Sequence, residues 1–314
     1  MTSCLVCGSG AGEPVFHGSD RLYHTTTRQF DVVRCGKCGM LRLDPPPTPE
    51  ELRRYYPDNY WFAPDESTAG RMEEAWRRLV LRDHVRFVTR ALRDSAARGP
   101  LLDVGCGGGL FLGMMRERGF RVLGLDFSRE AAAVAWRRQQ APAIVADFPH
   151  SPLSARSLAA ITMFHVVEHL YDPRAYLAEA RGLLAPDGRL IVQVPNAASW
   201  QCRLLGRAWN GIDVPRHLFD FRDSDLEKLL ASAGFEVLRR KYFSLRDNPA
   251  GLASSLAPSL DPMARRVRRV AESGGARLAK DLAYLAMVLA ATPFAALEAA
   301  FGAGSTVMVE ARAR

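Results

Sequence analysis

Leu101-Leu102-Asp103-Val104-Gly105-Cys106-Gly107-Gly108-Gly109 decides the fold of this 314-residue chain. A short apolar run is interrupted by one acid and enters a turn that is mostly glycine. The run reads as a buried strand. The glycines permit positive φ and let main chain approach a ligand closely. A glycine-rich turn between a strand and a helix points backbone N–H groups at whatever sits there.

The spacing Asp-x-Gly-x-Gly-x-Gly differs from the Gly-x-Gly-x-x-Gly dinucleotide fingerprint, and no Gly-Lys-Ser/Thr follows to hold a triphosphate. A second apolar strand, Arg121 to Leu125, runs into Asp126 about 20 residues beyond the turn, where a second strand delivers a carboxylate to ribose hydroxyls. Phe127 follows and suits an adenine face. A third strand, Ala143 to Ala146, ends at Asp147-Phe148, with an acid placed to accept from an adenine amino group. Ligands of open α/β sheets bind at such strand ends.

On these residues the chain resembles the class I S-adenosylmethionine-dependent methyltransferases. The resemblance is carried by LLDVGCGGG (Leu101 to Gly109), LGLDFS (Leu123 to Ser128) and ADF (Ala146 to Phe148). It continues through FHVVEHLYDP (Phe164 to Pro173), LLAPDGRLIVQVPN (Leu183 to Asn196) and AGFEV (Ala233 to Val237). It implies a Rossmann-like, seven-stranded α/β sheet with its last strand antiparallel. It implies S-adenosylmethionine held by Asp103, Gly105, Cys106, Gly107, Asp126, Phe127, Asp147, Phe148 and Phe164. The segment before the first helix covers the cofactor in similar enzymes, with Tyr56 and Tyr60 as candidates; packing of the aromatics on the core is the alternative.

Two cysteine pairs stand near the start: Cys4-x-x-Cys7 and Cys35-x-x-Cys38. Glycine follows each second cysteine (Gly8, Gly39), as tight knuckles require, and four thiolates make a closed Zn2+ site. The strand-like Arg28 to Arg34 suits a hairpin between the pairs. A zinc ribbon is therefore expected over 1–44, with the ion supplying much of its folding free energy. Residues 45–70 read as linker and lid, opening on Asp44-Pro45-Pro46-Pro47 and a Thr48-x-x-Glu51 capping box with Pro49 in the first turn. The methyltransferase domain is expected over 71–314.

Within that domain a helix is expected from about Arg71 to Arg93. Strands are expected at Leu101–Val104, Arg121–Leu125, Ala143–Ala146, Leu158–Phe164 and Gly188–Val194, with helices at Arg129–Gln139 and Pro173–Leu184. Asp223–Ser232 reads as a helix closed by Gly234, Phe235–Tyr242 as a strand, and Ser305–Ala311 as the last strand. A helical insertion of about 60 residues, 244–304, precedes that strand. It contains the basic run Arg265-Arg266-Val267-Arg268-Arg269 and the uncharged stretch Leu282 to Leu297, which Pro293 should kink or break. Sixteen residues fall short of the ~20 that span a bilayer. Two readings stand side by side: the apolar helix packs on the core or in a homodimer, or it docks with the arginines on an anionic membrane surface.

Methyl transfer is an in-line displacement at an activated carbon, so alignment of acceptor and donor matters most. A hydroxyl acceptor also gains from a base, and histidine has a suitable pKa. His165, Glu168 and His169 follow the fourth strand; a helical turn there would put the two histidines on one face beside Glu168. The Glu-His pair resembles that of ubiquinone-biosynthesis O-methyltransferases, which implies that His169 borders the acceptor. A role for Glu168 and His169 in holding the loop is the alternative, and a metal shared with His165 is a further one. Asp213-Val214-Pro215-Arg216-His217-Leu218-Phe219 resembles a Pro-x-His-Leu segment that closes over the site in similar enzymes, making His217 the second candidate base. Phe164-His165-Val166-Val167 replaces the Asn/Asp-Pro-Pro-Tyr/Phe signature of amino-group methylation, which favours oxygen or carbon as acceptor.

The net charge of +8 permits an anionic partner without requiring nucleic acid. The N-terminus shows no signal peptide, so a cytoplasmic location is expected, with cysteines as metal ligands or reduced thiols. The leading expectation is methylation of a small biosynthetic acceptor such as a sugar, polyketide or lipid-linked glycan. An RNA methyltransferase and a non-catalytic S-adenosylmethionine-binding scaffold are the alternatives.

Overall fold

The computed structural model describes residues 3–57 and 68–314; Tyr60 lies outside the described residues. The chain begins with strands β1 (Gly12–Gly18), β2 (Phe30–Cys35) and β3 (Leu41–Leu43) and helix α1 (Pro49–Arg54). Two helices follow, α2 (Thr68–Val80) and α3 (Arg82–Arg93). The expected single helix from Arg71 to Arg93 is therefore broken at Leu81, the cap residue of α3. Then strand and helix alternate: β4 (Leu101–Val104), α4 (Leu110–Arg116), β5 (Val122–Asp126), α5 (Arg129–Gln139), β6 (Ala143–Val145), β7 (Leu158–Phe164), α6 (Pro173–Leu183) and β8 (Leu184–Pro195). The last third holds α7 (Trp200–Leu205), β9 (Phe219–Asp220), α8 (Asp223–Ser232), β10 (Phe235–Lys241), α9 (Asn248–Leu256), α10 (Pro262–Val267), α11 (Gly274–Ala300) and β11 (Thr306–Ala313).

Two compact units emerge. One joins Met1–Tyr60, Pro195–Lys228 and Asp247–Val307; the other joins Trp61–Val194, Leu229–Arg246 and Met308–Arg314.

The second unit is built on a seven-stranded sheet in the order β10-β11-β8-β7-β4-β5-β6. The pairs β8-β7, β7-β4, β4-β5 and β5-β6 are parallel, whereas β10 and β11 are antiparallel. Helices on both faces explain why the central strands are apolar along their whole length rather than alternating. Leu102, Ala160, Ile161, Leu190, Ile191 and Val192 are fully buried. Each large aliphatic side chain among them contributes about 1.5–3 kcal/mol relative to exposure. Val85 and Val88 of α3 and Leu112 and Met115 of α4 pack into the same core. The helices start where their caps stand: Ser128 accepts from the Ala131 N–H, and Asp172 accepts from Arg174 and Ala175 ahead of Pro173.

The first unit carries a four-stranded sheet, β1-β2-β3-β9. β2 pairs antiparallel with both β1 and β3, which makes the hairpin expected between the cysteine pairs. The Thr48–Glu51 capping box is formed at both of its bonds. Phe30, Val32, Leu43 and Leu52 pack with Trp209, Val214 and Leu218 in this unit's core. The insertion folds as α9, α10 and α11. Pro293 does not break α11, which runs unbroken for 27 residues. Burial of Val288, Ala291, Ala295 and Glu298 along one face holds the helix together across the proline's missing N–H. At that length α11 is long and apolar enough to cross a membrane, by length and composition alone, which corrects the shorter estimate taken from Leu282–Leu297.

Candidate functional site

The carboxyl ends of β4, β5 and β7 form the candidate site of the second unit. After β4 the chain turns through Gly105, Cys106 and Gly107, with the Gly105 and Cys106 N–H groups bonded to the Leu125 carbonyl at 2.7 and 3.2 Å. Gly107 has φ +51°, and a Cβ placed there would meet nothing within 4 Å, so bare main chain faces open space. Gly109 has φ +73° and opens α4; its Cβ would sit 2.7 Å from that of Ala135, so glycine there lets α5 close in.

Asp126 ends β5 and braces the turn. Its carboxylate accepts from the Gly107 N–H and the Ser128 N–H, both at 2.9 Å. Asp103 is also buried and accepts from the Thr162 hydroxyl at 2.6 Å. Burial raises the Asp103 pKa to about 7; the Thr162 bond and the Arg246 charge oppose this, and the nearby Asp126 adds to it. Burial raises Asp126 as well. Two acids thus lie inside one strand-end cluster whose negative charge is poorly compensated by the protein, as suits a cationic ligand. The Cys106 thiol is buried and pushed up, burial being the main cause.

The other expected cofactor residues take several environments. Phe127 is 64% exposed beside the end of β5. Asp147 accepts from the Tyr176 hydroxyl at 2.5 Å and contacts His150 at 3.1 Å. Phe148, by contrast, is fully buried and packs on Tyr176 with ring centroids 5.6 Å apart. Phe164 is held edge-on by His84 and Phe111, each at 5.1 Å.

Beyond Phe164 the expected helical turn is replaced by a left-handed residue and a 3-10 turn. His165 has φ +56°, and Val167–His169 form the 3-10 turn. Here the His165 Nδ1 lies 3.1 Å from the Glu168 Oε1, in hydrogen-bond contact. The His165 Nε2 meets the Gln193 side-chain amide at 2.8 Å. A carboxylate only accepts, so the imidazole proton sits on Nδ1 and Nε2 accepts from Gln193. Glu168 and Gln193 are fully buried. Neither Gln193 nor Thr162 was legible as a partner, because both sit within apolar strands and act across the sheet.

In the first unit the four cysteines converge. Their sulfurs lie within 4.8 Å of one another, with Cys4–Cys38 and Cys7–Cys35 each at 3.5 Å. All four are free thiols, too far apart for disulfides and at the separation that tetrahedral thiolates around one ion require. Gly8 and Gly39 take φ +72° and +77°, closing the two knuckles. Burial opposes ionisation of Cys35, but N–H bonds from Cys38 and Lys37 outweigh it and bring the thiol to about 6.

His217 belongs to the same unit. It is 8% exposed, and its Nδ1 lies 2.9 Å from the Gly211 carbonyl and 3.4 Å from the Asp213 N–H nitrogen. Its neighbour Arg216 is fully buried and grips two carboxylates in bidentate fashion: Asp20 at 2.9 and 2.9 Å, Asp213 at 2.8 and 2.5 Å. The guanidinium also stacks on Tyr23, 4.5 Å from its centroid. Burial alone would raise Asp20, yet Arg216 and Thr25 bring it down to about 2. No local sequence signal pairs residues 196 apart.

Comparison with known proteins fits this geometry. A methyltransferase-domain family matches residues 70–240. A Mycolicibacterium smegmatis protein described as a probable S-adenosylmethionine-dependent methyltransferase is 30% identical over 188 residues, 57% of this chain; the chain spans 61% of that relative. A ubiquinone biosynthesis O-methyltransferase from Dinoroseobacter shibae is 30% identical over 189 residues, covering 53% of this chain and 76% of the relative. Among solved structures, the geranyl diphosphate C-methyltransferase of Streptomyces coelicolor A3(2), in complex with Mg2+, geranyl diphosphate and S-adenosyl-L-homocysteine, aligns with a TM-score of 0.51 at 17% identity, over 86% of this chain and all of that one. That likeness is one of fold. With the family matched over more than half its length and the strand order of the sheet in place, the chain belongs to the class I S-adenosylmethionine-dependent methyltransferases.

Proposed function

We propose that the chain transfers a methyl group to a hydroxyl of a small biosynthetic acceptor, such as a sugar, polyketide or lipid-linked glycan. The observation that carries this reading is the end of β7, where a histidine-rich turn beside a buried carboxylate follows directly on the glycine turn's neighbouring strand. The kinship to O-methyltransferases of ubiquinone biosynthesis supports oxygen as the acceptor atom.

S-adenosylmethionine, when bound, supplies a methyl group already activated by the sulfonium charge. The Gly105–Gly107 main chain would hold one end of it, Asp126 would accept from the ribose hydroxyls, and Phe127 and Asp147 would meet the adenine. Asp103 sets the negative potential beneath the cation. Both ring nitrogens of His165 are engaged, so its work is to hold the turn. The base is then assigned to His169, which takes the acceptor's proton as the oxygen attacks. His217, whose Nδ1 side faces the Gly211 carbonyl, is the second candidate. Cys4, Cys7, Cys35 and Cys38 are proposed to hold one structural Zn2+, which carries no part of the transfer.

The test uses a 13C-methyl donor and a panel of hydroxylated acceptors, with the product read by mass spectrometry and 13C NMR. A methoxy product is expected, and His169→Ala should lower kcat by about 10²-fold or more with donor affinity unchanged. A carbon-bound methyl, or no product from a protein that binds the donor, overturns the oxygen assignment. If His169→Ala keeps full rate and His217→Ala loses it, the base role moves to His217.

A further inference from the structure

One surface of the first unit is used neither by the cysteine cluster nor by the His217 segment. Helix α11 turns Tyr284, Val288, Ala291, Ala295 and Glu298 inward, at the three- and four-residue steps of one helical face. Glu298 is fully buried and accepts from the Gln201 main-chain N–H at 3.2 Å and its side-chain amide at 2.8 Å. The opposite face carries Leu278, Leu282, Leu289 and Leu297, each 52–60% exposed, with exposed Ala279, Ala283, Ala286, Ala290, Pro293 and Ala296 between them. Every residue on this outer face from Leu278 to Ala300 is apolar. At 1.5 Å per residue the stripe is about 30 Å long.

Its two ends differ. Beyond the far end stands Phe301, 70% exposed and stacked on Trp200 at 5.4 Å. At the near end cations gather. Residues 264–281 hold six basic side chains against two acidic ones; Glu272 is shared by the buried Arg265 and Lys280, and Asp281 by Arg265 and Arg277, so cations remain in excess. Arg269 and Arg277 are exposed, and Arg268 donates to the Arg21 carbonyl at 2.9 Å. Burial, and then the like charge of Arg268, depress the Arg21 pKa; Arg268 is itself lowered by burial, against the opposing charges of Asp20 and Asp261.

We propose that this face docks on an anionic phospholipid bilayer, with the α11 stripe in the acyl boundary and the Arg266–Lys280 end among headgroup phosphates. Charge complementarity selects this occupant. The near end carries an excess of four positive charges over residues 264–281, which a phosphate surface neutralises. Aromatic rings at the opposite end suit the water–lipid boundary. The inward face, with Glu298 tied to Gln201, keeps α11 on its own unit, so the contact is peripheral rather than spanning. The inference goes beyond the proposed reaction, and its failure would leave that reaction untouched.

Flotation of the purified full chain with phosphatidylcholine vesicles, with and without phosphatidylglycerol, tests it. Binding is expected to the anionic vesicles and to weaken with salt. It should fall at least about tenfold in Leu282→Glu/Leu289→Glu. It should also fall about fivefold for each cation removed in Arg269→Gln and Arg277→Gln. Retained S-adenosylmethionine binding and an unchanged far-UV spectrum show that the variants fold. No flotation at low salt overturns the proposal, as does flotation that the double leucine variant leaves intact. A wild-type dimer in sedimentation velocity that the same variant splits, without vesicle binding, assigns the face to a second copy and also overturns it.

Discussion

Asp20 and Asp103 are both buried carboxylates, and the protein treats them in opposite ways. Asp20 faces a guanidinium that bonds both of its oxygens, and it stays ionised down to about pH 2. Asp103 has one hydroxyl and a second acid nearby, and its pKa rises to about 7. The first cluster has its cation built in: Asp20 and Asp213 each bond Arg216 through both oxygens, and the three fix a loop. The second is left short of positive charge at the strand ends, beside main chain that faces open space. Buried charge supports architecture where its counter-charge is built in, and marks ligand binding where it is not.

The largest expected effect comes from dismantling the complete cluster. Arg216→Met leaves Asp20 and Asp213 without their cation, one of them fully buried. It should cost about 3–5 kcal/mol in urea unfolding, a large share of a domain's stability. A loss under about 1 kcal/mol would mean that the two carboxylates find other partners and that the contrast with Asp103 is shallow.

The incomplete cluster should respond to pH with the opposite sign. The Asp103 pKa is raised on folding, so its contribution to stability is fully present below about pH 4 and is lost as pH rises towards 7. Asp103→Asn removes that penalty. The variant should gain of order 2–4 kcal/mol over wild type above pH 7 and little near pH 4, while binding S-adenosylmethionine more weakly. Asp20 runs the other way. Its depressed pKa contributes about 2 kcal/mol that is present above about pH 4 and fades as pH falls through 2. Thermal melts across pH, with and without donor, separate the two limbs. A pH-independent Asp103→Asn difference would refute the charge deficit.

What the sequence disclosed follows the same division. Strand ends at Val104 and Phe164 were legible because central parallel strands are continuous apolar runs, and the cysteine knuckles because glycine spacing records them locally. The Arg216–Asp20 pair was not, since nothing near either residue encodes a partner 196 positions away. Leu81 interrupts a helical pattern without glycine or proline, so the join between α2 and α3 left no mark. Pro293 left a mark that misled: its cost of about 3 kcal/mol is outweighed by the buried face of α11. At His165 the periodicity of Val166–Leu170 suggested an α-turn, because a left-handed histidine has no signature in composition.

That histidine gives the smallest and most local test. A non-glycine residue at φ +56° costs of order 1 kcal/mol, and asparagine tolerates the left-handed region better than other side chains. His165→Asn relieves part of that strain and can still donate an amide N–H towards Glu168, so its stability should stay within about 1 kcal/mol of wild type. His165→Val keeps the strain, worsens it through a branched Cβ, and takes the imidazole from the buried Glu168 carboxylate; it should lose about 2–3 kcal/mol. Differential scanning calorimetry of the pair measures the gap. If valine is tolerated as well as asparagine, the His165–Glu168 bond does not hold the turn, and the His165 ring rather than His169 becomes the group to examine for proton transfer.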